Sequence, residues 1–253
     1  MPPSRDLKKK RRHRGNSDYR LSCFVILFMV LSMLGSSLVR TGSIDPSKMD
    51  MFTLTVAVLC EALSWMALPI AAWLFVKHFE TWGMKLQYSL ILLAVAALSE
   101  VPYDFVSTGQ WVTWETQNPL WALAVCSVVL AAWDWLGRFE EFTRWIWRII
   151  AIIGALTWAY VFRLGLREHI LYQGIALIGF VVIFHALKSK ENTMAYIAGA
   201  WGALFLLAPG IGVLFLHARN DEEKYPAPPF RWMLVAAYPL LLAAFAAVRY
   251  LVY

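Results

Sequence analysis

A polar segment separates two long apolar stretches near the middle of this chain. It covers residues 99 to 118 and reads SEVPYDFVSTGQWVTWETQN. The side chains in it that suit acid–base chemistry or substrate binding are Glu100, Tyr103, Asp104, Trp114, Glu115, Gln117 and Asn118. A carboxylate in a medium of low dielectric constant is harder to ionise, which suits it to act as a general acid or base near neutral pH. The segment predicts either a polar site at a membrane face or a plain loop between two membrane helices.

Glu61 and His169 extend the candidate site beyond this segment. Both belong to apolar stretches, where an ionisable side chain is costly and usually faces the interior of a helix bundle. The topology given below puts Glu61, Glu100, Asp104, His169 and His217 near one outer face. All of these except Glu61 also have a structural explanation: a bond from Glu100 to a backbone amide or an arginine, a turn at Asp104, and contact of the histidines with water at helix ends. Glu61 has no obvious partner in the sequence, which favours function.

Asp134 and the tryptophans have simpler interpretations. Asp134 lies four residues before Arg138, a spacing that predicts an ion pair on one helix face. The chain has 13 tryptophans, and most of them, including Trp111 and Trp114, fit the aromatic belts at the two membrane–water interfaces.

The composition is that of a membrane protein with several spans. Of the 253 residues, 60% are hydrophobic and 16% charged, whereas soluble domains have roughly 45–50% apolar and about 25% charged residues. Spanning segments are either helices or closed barrels, and barrel strands alternate in polarity. The apolar stretches show no alternation, so the sequence predicts an all-α helical bundle.

The sequence predicts about eight transmembrane helices, since about twenty apolar residues cross the hydrocarbon core. They are placed at residues 21–39, 53–76, 86–106, 119–136, 145–163, 169–187, 193–216 and 232–252. Residues 1–20 are predicted to be a basic, disordered cytoplasmic tail, and residues 21–253 a single membrane domain. Pro69 and Pro209 lie within two of the predicted spans, where membrane helices tolerate such breaks.

The distribution of Lys and Arg predicts the orientation. With eight spans and a cytoplasmic N-terminus, sixteen of the 23 Lys and Arg residues fall on the inner side and seven on the outer side. Cytoplasmic loops carry an excess of these residues, so both termini are predicted to be cytoplasmic, in a multi-pass protein of the cell membrane. The tail dominates this count, because without it the inner side has eight and the outer side seven.

The sequence gives little support for a nucleic-acid partner or a metal site. The basic tail suits a cytoplasmic, headgroup-contacting segment better than a nucleic-acid-binding one, so the expected partners are membrane lipids and a membrane or surface protein. Cys23, Cys60 and Cys126 lie within apolar stretches without metal-ligand spacing, and they are interpreted as small buried hydrophobes. No bound metal or cofactor is predicted.

The central segment resembles the TraX family of bacterial integral membrane proteins. That family carries a Ser-Glu-Ile-Pro-Phe/Tyr-Asp stretch, then a Trp, then a Gln-Asn that opens the next helix. Ser99 to Asp104, Trp114 and Gln117-Asn118 match it in type and spacing. Weaker matches lie around Pro69 and at Tyr238-Pro239.

The resemblance implies acyl transfer at the outer membrane face, with acyl-CoA (acetyl-CoA) as co-substrate and an amine or hydroxyl acceptor. Under it, the catalytic residues are Glu100, Asp104 and His169. The substrate-binding residues are Glu61, Tyr103, Trp114, Gln117 and Asn118.

The chain departs from the family pattern at four positions suited to acid–base or charge-stabilising work. Ser32 and Met33 stand where the family has Asp-His, Trp65 where it has Arg, and Leu240 where a His follows the late Tyr-Pro. A later Asp-Tyr-Gly stretch keeps only Gly174. These departures leave three hypotheses: a TraX-like acyltransferase, a non-catalytic relative that serves as a membrane scaffold or accessory protein, and a proton-coupled transporter, for which no inverted repeat is visible.

Overall fold

The structure is a computed structural model that describes residues 15–40, 50–82, 85–167, 171–205, 207–220 and 225–252. The α-helices in this part of the chain are α1 (Asp18–Arg40), α2 (Met51–Ser64), α3 (Ala67–Thr81), α4 (Lys85–Thr108), α5 (Leu120–Leu136), α6 (Glu141–Val161), α7 (Gln173–Leu187), α8 (Glu191–Ala203), α9 (Ala208–His217) and α10 (Met233–Val252). A 3₁₀ helix covers Pro228–Trp232, and two-residue strands, β1 (Leu166–Arg167) and β2 (Leu171–Tyr172), pair antiparallel. The predicted all-α class is confirmed.

Five segments are long and apolar enough to cross a membrane: Asp18–Leu38, Met51–Thr81, Lys85–Thr108, Glu141–Val161 and Pro229–Leu251. The predicted spans at 119–136 and 169–187 correspond to the shorter apolar helices α5 and α7. Helix α6 shows how apolar the perimeter is, because in it only Ala155 and Ala159 are buried while Trp145, Trp147 and Trp158 are about half exposed. Such a surface is compatible with a membrane protein.

Helix α3 lies at the centre of the bundle, packed against α1, α4, α5, α7 and α9. Pro69 explains why α3 is separate from α2. Its ring would clash with the carbonyl group of Trp65 in a continuous helix, whereas in the first turn its missing N–H is not needed. The predicted single span at 53–76 is therefore two helices that meet at Trp65 and Met66.

Residues 193–216, predicted as one span, instead form most of a helical hairpin. Helices α8 and α9 have 13 and 10 residues, or about 20 and 15 Å at 1.5 Å per residue, and they pack against each other. A Cβ atom on Gly202 would lie 2.5 Å from the Gly210 nitrogen, so the hairpin depends on backbone contact between glycines. Pro209 in the first turn of α9 starts the return helix.

The hairpin reverses the predicted direction of α10. One end of the bundle, here called the amino end, holds the Asp18–Lys77 ion pair (2.8 Å), the Arg219–Glu191 ion pair (3.2 Å) and the edge-on contact of Trp82 with Trp232. The opposite end, here called the far end, holds the last turn of α10.

At the far end the Arg249 guanidinium donates to the Phe105 and Val106 carbonyl oxygens at 3.1 and 2.8 Å. Asp18 and Arg249 therefore lie at opposite ends of the bundle, whereas two cytoplasmic termini, as predicted, would place them at the same end. The α8–α9 hairpin returns to the end it left, so α10 starts at the amino end.

Candidate functional site

Glu100 joins α4 to the start of α5. Its Oε2 atom accepts a 2.6 Å hydrogen bond from the Trp121 indole N–H and a further one from the Asn118 side-chain amide. The Asn118 backbone N–H donates to Oε1 at 3.3 Å. The Glu100 carboxylate is thus a structural acceptor that holds the end of the loop against α4.

Asn118 is completely buried, and its polar groups are engaged within the protein. Its side-chain nitrogen also donates to the Ala96 carbonyl oxygen at 2.9 Å, and its side-chain oxygen accepts from the Leu120 backbone N–H at 3.0 Å. The second bond caps the first turn of α5. Asn118 therefore lies two residues before Leu120, the first residue of α5, with Pro119 between them.

Asp104 organises the other end of the same loop. Helix α4 continues through Pro102 to Thr108, and this places Asp104 one turn beyond Glu100. Its Oδ2 atom accepts a hydrogen bond from the Thr113 backbone N–H at 2.9 Å. Its Oδ1 atom is buried without a partner among the described residues.

The loop also contacts the connection between α6 and α7. The Gln117 backbone N–H donates to the Arg163 carbonyl oxygen at 3.3 Å, and the Gly165 N–H donates to the Gln117 carbonyl oxygen at 2.6 Å. The Gln117 side-chain amide donates within the loop, to the Thr113 carbonyl oxygen at 3.4 Å. Residues 109–119 therefore form a folded cap on the far end of the bundle.

The aromatic residues of the segment lie in different environments. The Tyr103 hydroxyl is buried and lies 3.3 Å from the Thr116 hydroxyl. Trp114, by contrast, is 79% exposed and borders an open groove of about 440 Å³ beside Glu115, Gln117 and Arg163.

Glu61 is paired with Ser32, a contact that the sequence analysis missed. The Ser32 hydroxyl donates to Glu61 Oε2 at 3.3 Å, and the Trp65 indole N–H donates to Oε1 at 3.2 Å. Gly35 lets α1 approach α2 closely, since a Cβ atom there would lie 3.0 Å from the Ala57 carbonyl oxygen. The signal in the sequence was the pair of departures at positions 32 and 65, which supply the two donors to this carboxylate.

Ser32 lines an internal cavity of about 90 Å³, here called the central cavity. Helices α1, α3, α4, α5, α7 and α10 supply its mostly apolar wall, and Tyr103, Ser64 and Ser107 add hydroxyl groups. The Ser107 hydroxyl is buried and has no hydrogen-bond partner in the described part of the chain. Glu100, Asp104 and Asn118 do not line this cavity.

Two further predicted positions differ from their predictions. A third, His169, lies outside the described residues. His217 ends α9 at the amino end, whereas Glu100 and Asp104, with which it was predicted to share one face, lie towards the far end, because α9 is the return arm of the hairpin. Asp134 pairs with Lys85 of the neighbouring helix α4 instead of Arg138, whose guanidinium donates to the Trp135 carbonyl oxygen.

The geometry separates two kinds of acidic residue. The Glu100 carboxylate is occupied by donors of the fold. The Glu61 carboxylate accepts a hydrogen bond from the hydroxyl of Ser32, a residue that borders the central cavity, and a carboxylate in hydrogen-bond contact with a hydroxyl is suited to accept its proton. Within the described residues no cluster of His, Cys, Asp or Glu could hold a metal ion.

Together, the fold and the site define a helical protein that has, among the described residues, five segments long and apolar enough to span a membrane and a cavity bordered by several helices. No protein-family model, curated protein or solved structure matches this chain.

Proposed function

We propose that the protein is an integral membrane acyltransferase of TraX type, in which the acyl group is transferred in the central cavity. The observation that carries the proposal is the contact of the Ser32 hydroxyl with Glu61 at 3.3 Å, at the edge of a largely apolar cavity. Reach between a hydroxyl and a base is the first requirement for proton transfer, and such contacts are often long before substrate binds.

In the proposed reaction, the acceptor amine or hydroxyl attacks the carbonyl carbon of an acyl thioester such as acetyl-CoA. The new C–N or C–O bond forms and the C–S bond breaks. The acceptor proton passes to Ser32 as the Ser32 proton passes to Glu61, and the thiolate leaves and is then protonated. The Ser107 and Tyr103 hydroxyls in the cavity wall are placed to donate to the developing oxyanion, while Glu100 positions the α4–α5 junction.

The hairpin supports a proposed orientation of the protein in the membrane. We place the amino end in the cytoplasm and the far end outside, with seven crossings by the five long segments and by α5 and α7. Each Lys or Arg is assigned to the side of the connection or terminal segment that contains it. Eighteen of the 23 Lys and Arg residues are then cytoplasmic, and the five others are Arg40, Lys48, Arg163, Arg167 and Arg249. Without the eight in the first twenty residues the ratio is still ten to five, in keeping with the positive-inside rule.

A second candidate, a non-catalytic membrane scaffold, is favoured by a different observation. The amide donors of Gln117 and Asn118, expected to bind substrate, donate to atoms of the protein itself. A cap of this kind presents a fixed surface, including the exposed Trp114, without any need for chemistry.

Mass spectrometry of surface proteins and lipids tests the acyltransferase. The cells compared carry the intact chain, a deletion, Ser32→Ala, Glu61→Gln or the control Ser37→Ala, whose hydroxyl bonds the Met33 carbonyl oxygen and does not line the cavity. We expect an acyl mark that disappears in the deletion and in the first two variants but persists in the control. A mark lost only in the deletion would contradict the enzyme and support the scaffold.

A further inference from the structure

A second cavity lies between the central cavity and the amino end. Its volume is about 60 Å³, and it is here called the entrance cavity. Both cavities are bordered by six of the same residues, namely Val25, Met29, Ala71, Leu120, Leu123 and Tyr238. The two cavities are therefore adjacent, and the flexible Met29 borders both.

The two cavities form one apolar seam along the bundle. Tyr88 borders the entrance cavity and Ser107 borders the central cavity. Both residues belong to α4, along which they are separated by about 28 Å at 1.5 Å per residue. This length is close to the hydrocarbon thickness of a bilayer, about 30 Å.

The amino end of the seam is polar and positively charged. Arg231 borders the entrance cavity, is exposed, and forms no ion pair with any acidic side chain in the described ranges. His78 borders the same cavity, and its Nε2 atom is buried without a hydrogen-bond partner among the residues that the structure describes. A buried polar atom without a partner is costly, which indicates that a ligand atom completes its bonding.

The neighbouring groups do not compete with an anionic ligand. The carboxylate of Asp18 is paired with Lys77 at 2.8 Å. The ring of Tyr225 lies against His78, with 5.6 Å between ring centroids. Burial raises the pKa of Tyr225 to about 12, so its hydroxyl, 3.0 Å from the Ser22 hydroxyl, stays neutral at physiological pH.

We infer that this seam binds an amphiphile with one acyl chain and a phosphate-bearing headgroup, with the phosphate at Arg231 and His78 and the chain directed toward the central cavity. The guanidinium group matches phosphate oxygens in a bidentate manner. A single chain suits a seam whose free volume is small and whose walls are apolar. The inference goes beyond the proposed function, since binding requires no transfer step.

Two sources supply this chemistry, a membrane phospholipid and a soluble acyl thioester of CoA. Native mass spectrometry of the purified full chain in dodecyl maltoside tests both, with dodecanoyl lysophosphatidylglycerol and dodecanoyl-CoA as probes. We expect at least one probe to bind. The tighter of the two identifies the source, and absence of both adducts would overturn the inference.

Arg231→Gln and Arg138→Gln form a matched pair of variants. Both remove an exposed cation at the amino end, but Arg138 lies outside the seam. We expect Arg231→Gln to weaken binding about tenfold, as for the loss of one charge-assisted contact, and Arg138→Gln to leave it unchanged. Equal weakening by both variants would mean general charge attraction and would overturn the site.

Ala71→Leu tests the position of the chain independently of the headgroup. Ala71 borders both cavities, so a larger side chain narrows the passage between them. We expect dodecanoyl probes to bind about tenfold more weakly while hexanoyl probes are unaffected, with folding checked by gel filtration. Unchanged affinity for the longer chain would show that it lies elsewhere. These assays use purified protein, so their failure is distinguishable from failure of the acyl-mark experiment in cells.

Discussion

Glu100 and Glu61 are both acidic residues within long apolar helices, yet their surroundings differ. Glu100 accepts hydrogen bonds from Asn118 and Trp121 and has no access to the central cavity. Glu61 accepts from the Trp65 indole N–H and from the hydroxyl of Ser32, a residue that borders that cavity. We infer that an acidic residue in an apolar helix has a structural role when its hydrogen-bond donors belong to a rigid junction. It is suited to a functional role when one of its donors belongs to a residue that borders a cavity.

The largest expected effect concerns the role of Glu100 in stability. Glu100→Gln turns an acceptor into a group that also donates, and it leaves buried donors of Asn118 and Trp121 poorly matched. We expect a loss of about 2–3 kcal/mol in the free energy of unfolding, or about 5–10 °C in melting temperature, measured in detergent. Glu115→Gln is the control, since Glu115 is exposed in the same loop. An equal loss of stability in Glu115→Gln would contradict the structural role of Glu100.

A second prediction concerns the helix approach that brings Ser32 to Glu61. Gly35→Leu forces α1 away from the backbone of α2, because a Cβ atom at position 35 would lie 3.0 Å from the Ala57 carbonyl oxygen. We expect a loss of about 2 kcal/mol from overpacking, together with loss of the acyl mark. Gly154→Leu on α6 is the matched change, because no atom lies within 4 Å of a Cβ atom there. A tolerated leucine at position 35 would contradict the close approach.

A third prediction compares two buried serines. The Ser107 hydroxyl lacks a partner among the described residues, whereas the Ser127 hydroxyl donates to the Ala124 carbonyl oxygen at 2.6 Å. We expect Ser107→Ala to stabilise the protein by about 0.5–1 kcal/mol and Ser127→Ala to destabilise it by about 1 kcal/mol. Thermal unfolding of both variants measures the difference in sign, and a destabilising Ser107→Ala would mean that this hydroxyl is bonded.

The smallest expected effect is at Asp104. Asp104→Asn keeps an oxygen for the Thr113 N–H and removes a negative charge one turn from Glu100, where like charges repel. We expect a change within about 0.5 kcal/mol, in the stabilising direction. A loss of more than about 2 kcal/mol in the same unfolding assay would show that the Asp104 charge is required by the fold.

The sequence predicted the helical class and the polar junction, because apolar length and the 99–118 segment are local signals. Local signals did not indicate that residues 193–216 fold back on themselves, since a Pro-Gly break is compatible with either a kink or a hairpin. The choice depends on contacts such as Gly202 with Gly210 and Gly212 with Met66. The Ser32–Glu61 contact joins residues 29 positions apart, so it follows from helix packing that no local pattern specifies.

The most direct test of the division between the two acids measures two quantities in Glu61→Gln and Glu100→Gln: the acyl mark in cells and the melting temperature of the purified chain. We predict that Glu61→Gln lowers the mark by about 100-fold or more, as for the loss of a general base, with little change in melting temperature. Glu100→Gln is predicted to lower the melting temperature while the folded fraction keeps its activity. A stable Glu100→Gln protein without the mark, beside a fully active Glu61→Gln protein, would contradict the account.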